Sequence, residues 1–121
     1  MNIFVASKVN KVGMVICDNN NSIYYYGTFN TQTTDKESQI TLASQRAVSY
    51  IKTNKLSGAD NTINIYSDKL YDLQPSEYLE QNGFTITSNI AETDKEKQRL
   101  LLAKVEIDMS LHRQAIGIKE R

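Results

Sequence analysis

Proline occurs once in these 121 residues, glycine five times, and cysteine and histidine once each, while fourteen basic side chains cancel fourteen acidic ones. Each scarcity excludes something. The lone Cys17 cannot close an internal disulfide, and in the apolar run GMVIC it reads as a buried structural thiol, which fits a reducing, cytoplasmic compartment. One histidine and one cysteine cannot assemble a zinc site. Charge neutrality leaves no global field to hold a polyanion, so any nucleic-acid contact needs a local basic patch. The glycines are scattered singly, and none forms the GxxxxGK loop that cradles phosphates. No apolar run approaches the ~20 residues needed to cross a membrane, and the run before Lys8 is too short for a secretory signal. What remains is a chain with 40% hydrophobic residues, enough for one domain over residues 1–121 and too short for two.

Periodicity divides the chain into a definite order of elements. The runs NIFVA (2–6) and VGMVIC (12–17) read as strands, and Asp18 to Asn21 supply residues that tolerate a tight turn before a third, aromatic strand, SIYYYGTF (22–29). From about Asp35 the spacing turns helical: Ile40, Ala43, Ala47, Val48 and Ile51 share one face, Asp35 and Glu37 suit the positive end of the helix dipole, and the helix ends near Asn54 before LSGADN. TINIY (62–66) predicts a fourth strand that exits at Ser67-Asp68, and Lys69 to Leu73 reads as one helical turn. A short helix, SEYLEQNG, follows, with Pro75 near its first turn and Gly83 as its C-cap; FTIT (84–87) is a last strand. TDKE (93–96) is a capping box, and it opens a long C-terminal helix over about 93–116. Two apolar stripes run along that helix: Leu102, Val105, Met109, His112 and Ile116, and beside them Leu100, Ala103, Ile107 and Leu111. Together they are wider than one sheet contact requires, which predicts cover for the sheet plus a docking face for a protein partner or a second copy.

Strand, strand, strand, helix, strand, short helix, strand, long helix is the order of an antiparallel meander followed by βαβ crossovers. It predicts an α/β fold with a mixed sheet of about five strands and flanking helices. That order, with YSDKLY (66–71) at the end of the fourth strand and SQITLASQRAVSYI (38–51) as the first helix, resembles the ribonuclease H family. The resemblance implies a nuclease site in which carboxylates hold two Mg²⁺ or Mn²⁺ ions for phosphodiester hydrolysis. It also implies where the acids stand: in the first strand, the first helix, the end of the fourth strand and the start of the last helix. At the first position this chain has Ala6, or Ser7 one residue on. At the second it has Gln39 and Ile40, with Glu37 two or three residues early. Asp68 matches the third, and Asp94 and Glu96 stand in the first turn of the last helix, where a capping box also accounts for them. Asp68 has two readings, metal ligand or helix N-cap accepting from Leu70 or Tyr71.

The resemblance with these departures implies a catalytically degenerate ribonuclease H-like module that binds protein or nucleic acid and has no resident cofactor. The alternative is a divergent Mg²⁺- or Mn²⁺-dependent nuclease using Asp68, Glu37, Asp94 and Glu96. The best local basic group for nucleic acid is Lys8 and Lys11 in the first hairpin with Lys52 and Lys55 at the end of the first helix; Tyr24, Tyr25 and Tyr26 offer rings for base stacking. His112, on an apolar stripe, reads as an interface or core-edge residue.

Overall fold

A computed structural model describes residues 1–56, 61–73 and 77–115, less the side chain of Tyr78. The readings of Gly58 as a helix-ending signal, of Pro75 and Ser76 as a helix start and of Ile116 as an interface residue lie outside these described residues.

Strands β1 (Asn2–Lys8), β2 (Lys11–Cys17) and β3 (Ile23–Asn30) form the antiparallel meander; α1 (Lys36–Thr53) leads to β4 (Thr62–Ser67), α2 (Glu77–Gln81) to β5 (Thr85–Ile90), and α3 (Asp94–Ala115) closes the described chain. The sheet order is β3-β2-β1-β4-β5, with β1 antiparallel to β2 and parallel to β4, and β4 parallel to β5. This is the α/β fold, a five-stranded mixed sheet with flanking helices, that the order of elements implied. Two expectations fail locally. Residues 69–73 carry no helical turn: the Ser67 hydroxyl donates to the Lys69 carbonyl, and the Tyr71 amide donates to Ser88 Oγ, so the chain is drawn out along β5 rather than coiled. The last strand runs three residues beyond Thr87 because its ladder with β4 continues to Ser67↔Ile90.

Alternation along the central strands sends side chains to two faces. Ile3, Val5, Met14, Ile16, Ile63 and Ile65 point to the face covered by α1, whose Ile40, Ala43, Ala47, Val48 and Ile51 fill it. That is the helical stripe read from the sequence. Each fully buried Ile or Val here contributes ~1.5–3 kcal/mol of apolar burial. The other face holds Phe4, Val15 and Cys17 under Leu100 and Ala103 of α3, with Tyr66 stacked on Phe4 at 4.9 Å.

Helix α3 crosses β1, β2 and β3, and a close approach sets its height. At Gly13 a Cβ would stand 2.1 Å from the Ala103 carbonyl oxygen, so the helix backbone rests directly on the strand. The buried stripe is Leu100, Ala103, Ile107 and Ser110. The neighbouring stripe thus lies on the flank: Leu102 is half-buried, whereas Val105, Met109 and His112 are exposed, which removes His112 from the core edge. The buried Lys11 reaches across from β2 to donate to Ser110 Oγ at 2.6 Å.

Candidate functional site

β1 is the strand at which the sheet changes sense, antiparallel on one side and parallel on the other. In open α/β sheets such switch points leave a crevice at the carboxyl ends of the strands, between helices that depart to opposite faces. Here a cavity of about 300 Å³ occupies that place. Ala6, Ser7 and Lys8 line it from the end of β1, Lys36 and Gln39 from the first turn of α1, Ser67, Asp68 and Tyr71 from the exit of β4, and Lys104, Ile107 and Asp108 from α3.

Local rules explain how each side chain arrives. Ser7 follows Ile3 and Val5 to the α1 face, where its hydroxyl accepts from Lys36 Nζ at 2.8 Å. Ala6 and Asp68 follow Phe4 and Tyr66 to the α3 face, where Lys104 Nζ donates to Asp68 Oδ1 at 3.0 Å. Asp35 caps α1 by accepting from the Ser38 amide at 3.0 Å and the Ser38 hydroxyl at 2.6 Å, and these bonds hold its carboxyl below the usual carboxylate range. Gln39 is buried; its Nε2 donates to the carbonyls of Val9 (2.8 Å) and Thr33 (2.9 Å) and to Thr31 Oγ1 (3.3 Å), tying the start of α1 to the β1–β2 turn. Its Oε1 has no partner among the described residues. Val9 itself holds φ 57, a left-handed angle rarely tolerated by a β-branched residue, at the tip of that turn. Tyr71 sits between Asp68 and Glu37: burial first, then those two charges, push its hydroxyl above its ordinary pKa.

Of the four acidic positions implied by the resemblance, the crevice contains one acid, Asp68, which is bound to Lys104 rather than capping a helix. The N-cap reading fails because residues 69–73 form no helical turn and the Tyr71 amide is taken by Ser88. Ala6 and Gln39 stand at the first-strand and first-helix positions. Glu37 lines a separate depression with Asp35 and Asp72. Glu96 is spent on its capping box: Oε1 accepts from the Glu92 and Thr93 amides at 3.0 and 3.2 Å, and Thr93 Oγ1 accepts from the Glu96 amide at 3.2 Å. It and Asp94 lie about 18 Å or more along the helix from Asp108, the α3 acid that does face the crevice. No group of three or more His, Cys, Asp or Glu side chains that could hold a metal ion occurs among the described residues. Two divalent cations need several carboxylate oxygens, and ammonium groups beside too few carboxylates add repulsion without adding ligands. With Lys8, Lys36 and Lys104 on its walls, the crevice does not fit that metal pair.

The basic group expected from sequence also divides. Lys8 borders the crevice, Lys11 is buried, and Lys52 and Lys55 lie at the far end of α1, about 24 Å from Lys36, with Lys52 donating to the Asn82 side chain. Lys36, Lys104 and Asp108 were not singled out by the sequence pattern; the i, i+4 pair Lys104–Asp108 was its one local signal. Tyr24, Tyr25 and Tyr26 are all about half-exposed on the edge strand β3, and Tyr25 packs on Tyr50 at 5.5 Å.

Among the described residues, no helix is long and apolar enough to cross a membrane. No protein-family model matches the chain, and no curated protein matches it either. Among solved structures it is similar to RNase H1 from the halophilic archaeon Halobacterium salinarum NRC-1, at 16% identity and a TM-score of 0.49, over 89% of this chain and 96% of that one.

Proposed function

We propose that this chain is a single ribonuclease H-like domain that binds nucleic acid without cutting it. The observation that carries the reading is the donor set of the switch-point crevice: one carboxylate already paired to a lysine, Ala6 and Gln39 where further acids would be needed, and three lysines around them. Ammonium groups complement phosphate oxygens and repel divalent ions, so the same geometry that argues against hydrolysis argues for contact with a polyanion. Local rather than net charge carries the attraction, since the chain as a whole is neutral. The half-exposed tyrosines of β3 add ring faces on which unpaired bases can stack. The buried thiol of Cys17 suits a cytoplasmic setting.

The test is incubation of the protein with RNA–DNA hybrid, duplex and single-stranded oligonucleotides in Mg²⁺ or Mn²⁺, beside Asp68→Asn. Retention on the oligonucleotide without product is expected. Cleavage that disappears in Asp68→Asn would sink the reading and favour the nuclease.

A second reading concerns protein contacts. Leu101, Val105 and Met109 are 58%, 40% and 50% exposed on the outer side of α3, an apolar strip that the sheet does not cover. A protein partner or a second copy of the chain would bury it. Light scattering of the wild type against Val105→Asp with Met109→Lys checks this, the expected result being a mass of two chains that falls to one.

A further inference from the structure

We infer that the crevice between α1 and α3 is an anion site in which fixed ammonium groups take the place of metal ions and receive one phosphate group of the bound strand. The inference rests on the proposed function for the source of that phosphate, and otherwise on the crevice alone. Three lysines converge from three elements: Lys8 from β1, Lys36 from α1 and Lys104 from α3. Each ammonium has three N–H donors. Lys36 spends its contacts on Ser7, Oγ at 2.8 Å and the carbonyl at 3.5 Å, and Lys104 spends one on Asp68, so N–H donors remain on both. Lys8 has no partner among the described residues.

Three lysines against two acids on the walls, Asp68 and Asp108, leave the crevice one positive charge in excess. The Asp68 side chain is 70% exposed and its pair with Lys104 is a solvent-screened one, so a phosphate group that engages Lys8 and Lys36 as well displaces it and Asp68 turns outward. Inorganic or terminal phosphate offers more oxygens and more charge to Lys104 than a single carboxylate does, and a phosphodiester offers an equal charge that the three lysines share. Lys36 is held in place by Ser7 at the strand end, so the anion meets at least one preplaced cation.

This assignment reverses the sign expected of one substitution. In a metal site Asp68→Asn removes a ligand and weakens binding; in an anion site it removes a competitor and a like charge, and tightens it.

The experiment is a titration of the ¹⁵N-labelled full chain with inorganic phosphate at constant ionic strength in EDTA, followed by amide shifts. Saturable shifts at Ser7, Lys8, Lys36, Asp68 and Lys104 are expected, with affinity raised about fivefold in Asp68→Asn and lowered at least tenfold in Lys36→Gln with Lys104→Gln. Both lysines are on the surface, and an otherwise unchanged amide spectrum reports that the double variant is folded. Absence of saturable shifts, weaker binding in Asp68→Asn, or saturable shifts of the same amides with Mg²⁺ alone each overturn the inference. Parallel titrations with an oligonucleotide bearing or lacking a 5′-phosphate distinguish a terminal phosphate from an internal phosphodiester. Oligonucleotide binding that survives in the double lysine variant removes the crevice site and leaves the proposed function standing. Phosphate binding with no oligonucleotide binding by the wild type removes the proposed function and leaves the anion site.

Discussion

Substituting Gly13 by alanine tests the contact that holds α3 at its height over the sheet. The new Cβ would lie 2.1 Å from the Ala103 carbonyl oxygen and 2.9 Å from Ile107 Cγ1, the first of which is backbone and cannot rotate away. Ordinary contact begins at 3.4 Å, so helix and strand must separate by about 1.3 Å. A gap of 0.5–1 Å already forfeits roughly a quarter to a half of a van der Waals well, and Leu100, Ala103 and Ile107 all lie along the line that opens. Overpacking of this kind costs ~1–3 kcal/mol, and a clash with backbone belongs at the top of that range, about 3 kcal/mol. For 121 residues the unfolding entropy is about 0.25 kcal/mol/K, so Tm should fall by about 12 °C, with a matching drop in the urea midpoint at unchanged m. Gly27→Ala is the control: its Cβ meets the Tyr25 hydroxyl at 2.6 Å, the far end of a side chain 43% exposed that can swing aside, so the cost should stay below about 1 kcal/mol. If Gly13→Ala loses less than about 1 kcal/mol, or no more than Gly27→Ala, the reasoning about helix height is refuted.

Three other outcomes follow from single contacts. Val9→Asn replaces a β-branched residue at φ 57, 70% exposed, with one that accepts the left-handed region, and should raise stability by about 0.5–1 kcal/mol in thermal denaturation. Ser110→Ala removes one acceptor of the buried Lys11 ammonium and should cost about 1.5–3 kcal/mol by urea unfolding, a value that an exposed lysine would not give. Burial, opposed in part by Arg99, pushes the Cys17 thiol from 9.0 up to about 11. The folded state keeps the thiol neutral while the unfolded chain ionises it, so this contribution to stability is fully present below pH 9 and is lost as pH rises through about 11. Thiol labelling at pH 8 should accordingly be slow in the native protein and fast in urea; native labelling at the unfolded rate would contradict the burial.

Features carried by neighbours in the chain were legible from sequence. The α1 face of Ile40, Ala43, Ala47, Val48 and Ile51 needs only helical spacing, the Thr93–Glu96 capping box only three residues, and the five strands only alternation and turns. Asp68 was legible as the acid at the exit of β4. Its partner was not, because Lys104 lies 36 residues away and meets it only when α3 crosses the sheet. Lys11 read as a surface cation for the same reason: its burial depends on Ser110, 99 residues on, arriving above it. The stripes of α3 show the limit most plainly. Both Leu100-Ala103-Ile107 and Leu102-Val105-Met109 have helical spacing, and no local rule says which one faces inward.

Chain-local physics thus decided the elements, their order and the mixed sheet, since alternation, helical period and capping act over a few residues. Tertiary structure alone decided the character of the crevice. The rotation and height of α3, set where Gly13 admits the Ala103 backbone, bring Lys104 and Asp108 to the ends of β1 and β4 and leave Asp94 and Glu96 about 12–15 Å along the helix from Lys104. Charges so far apart in sequence interact only through that packing, which is why the lysines that join Asp68 in the crevice could not be read from the sequence.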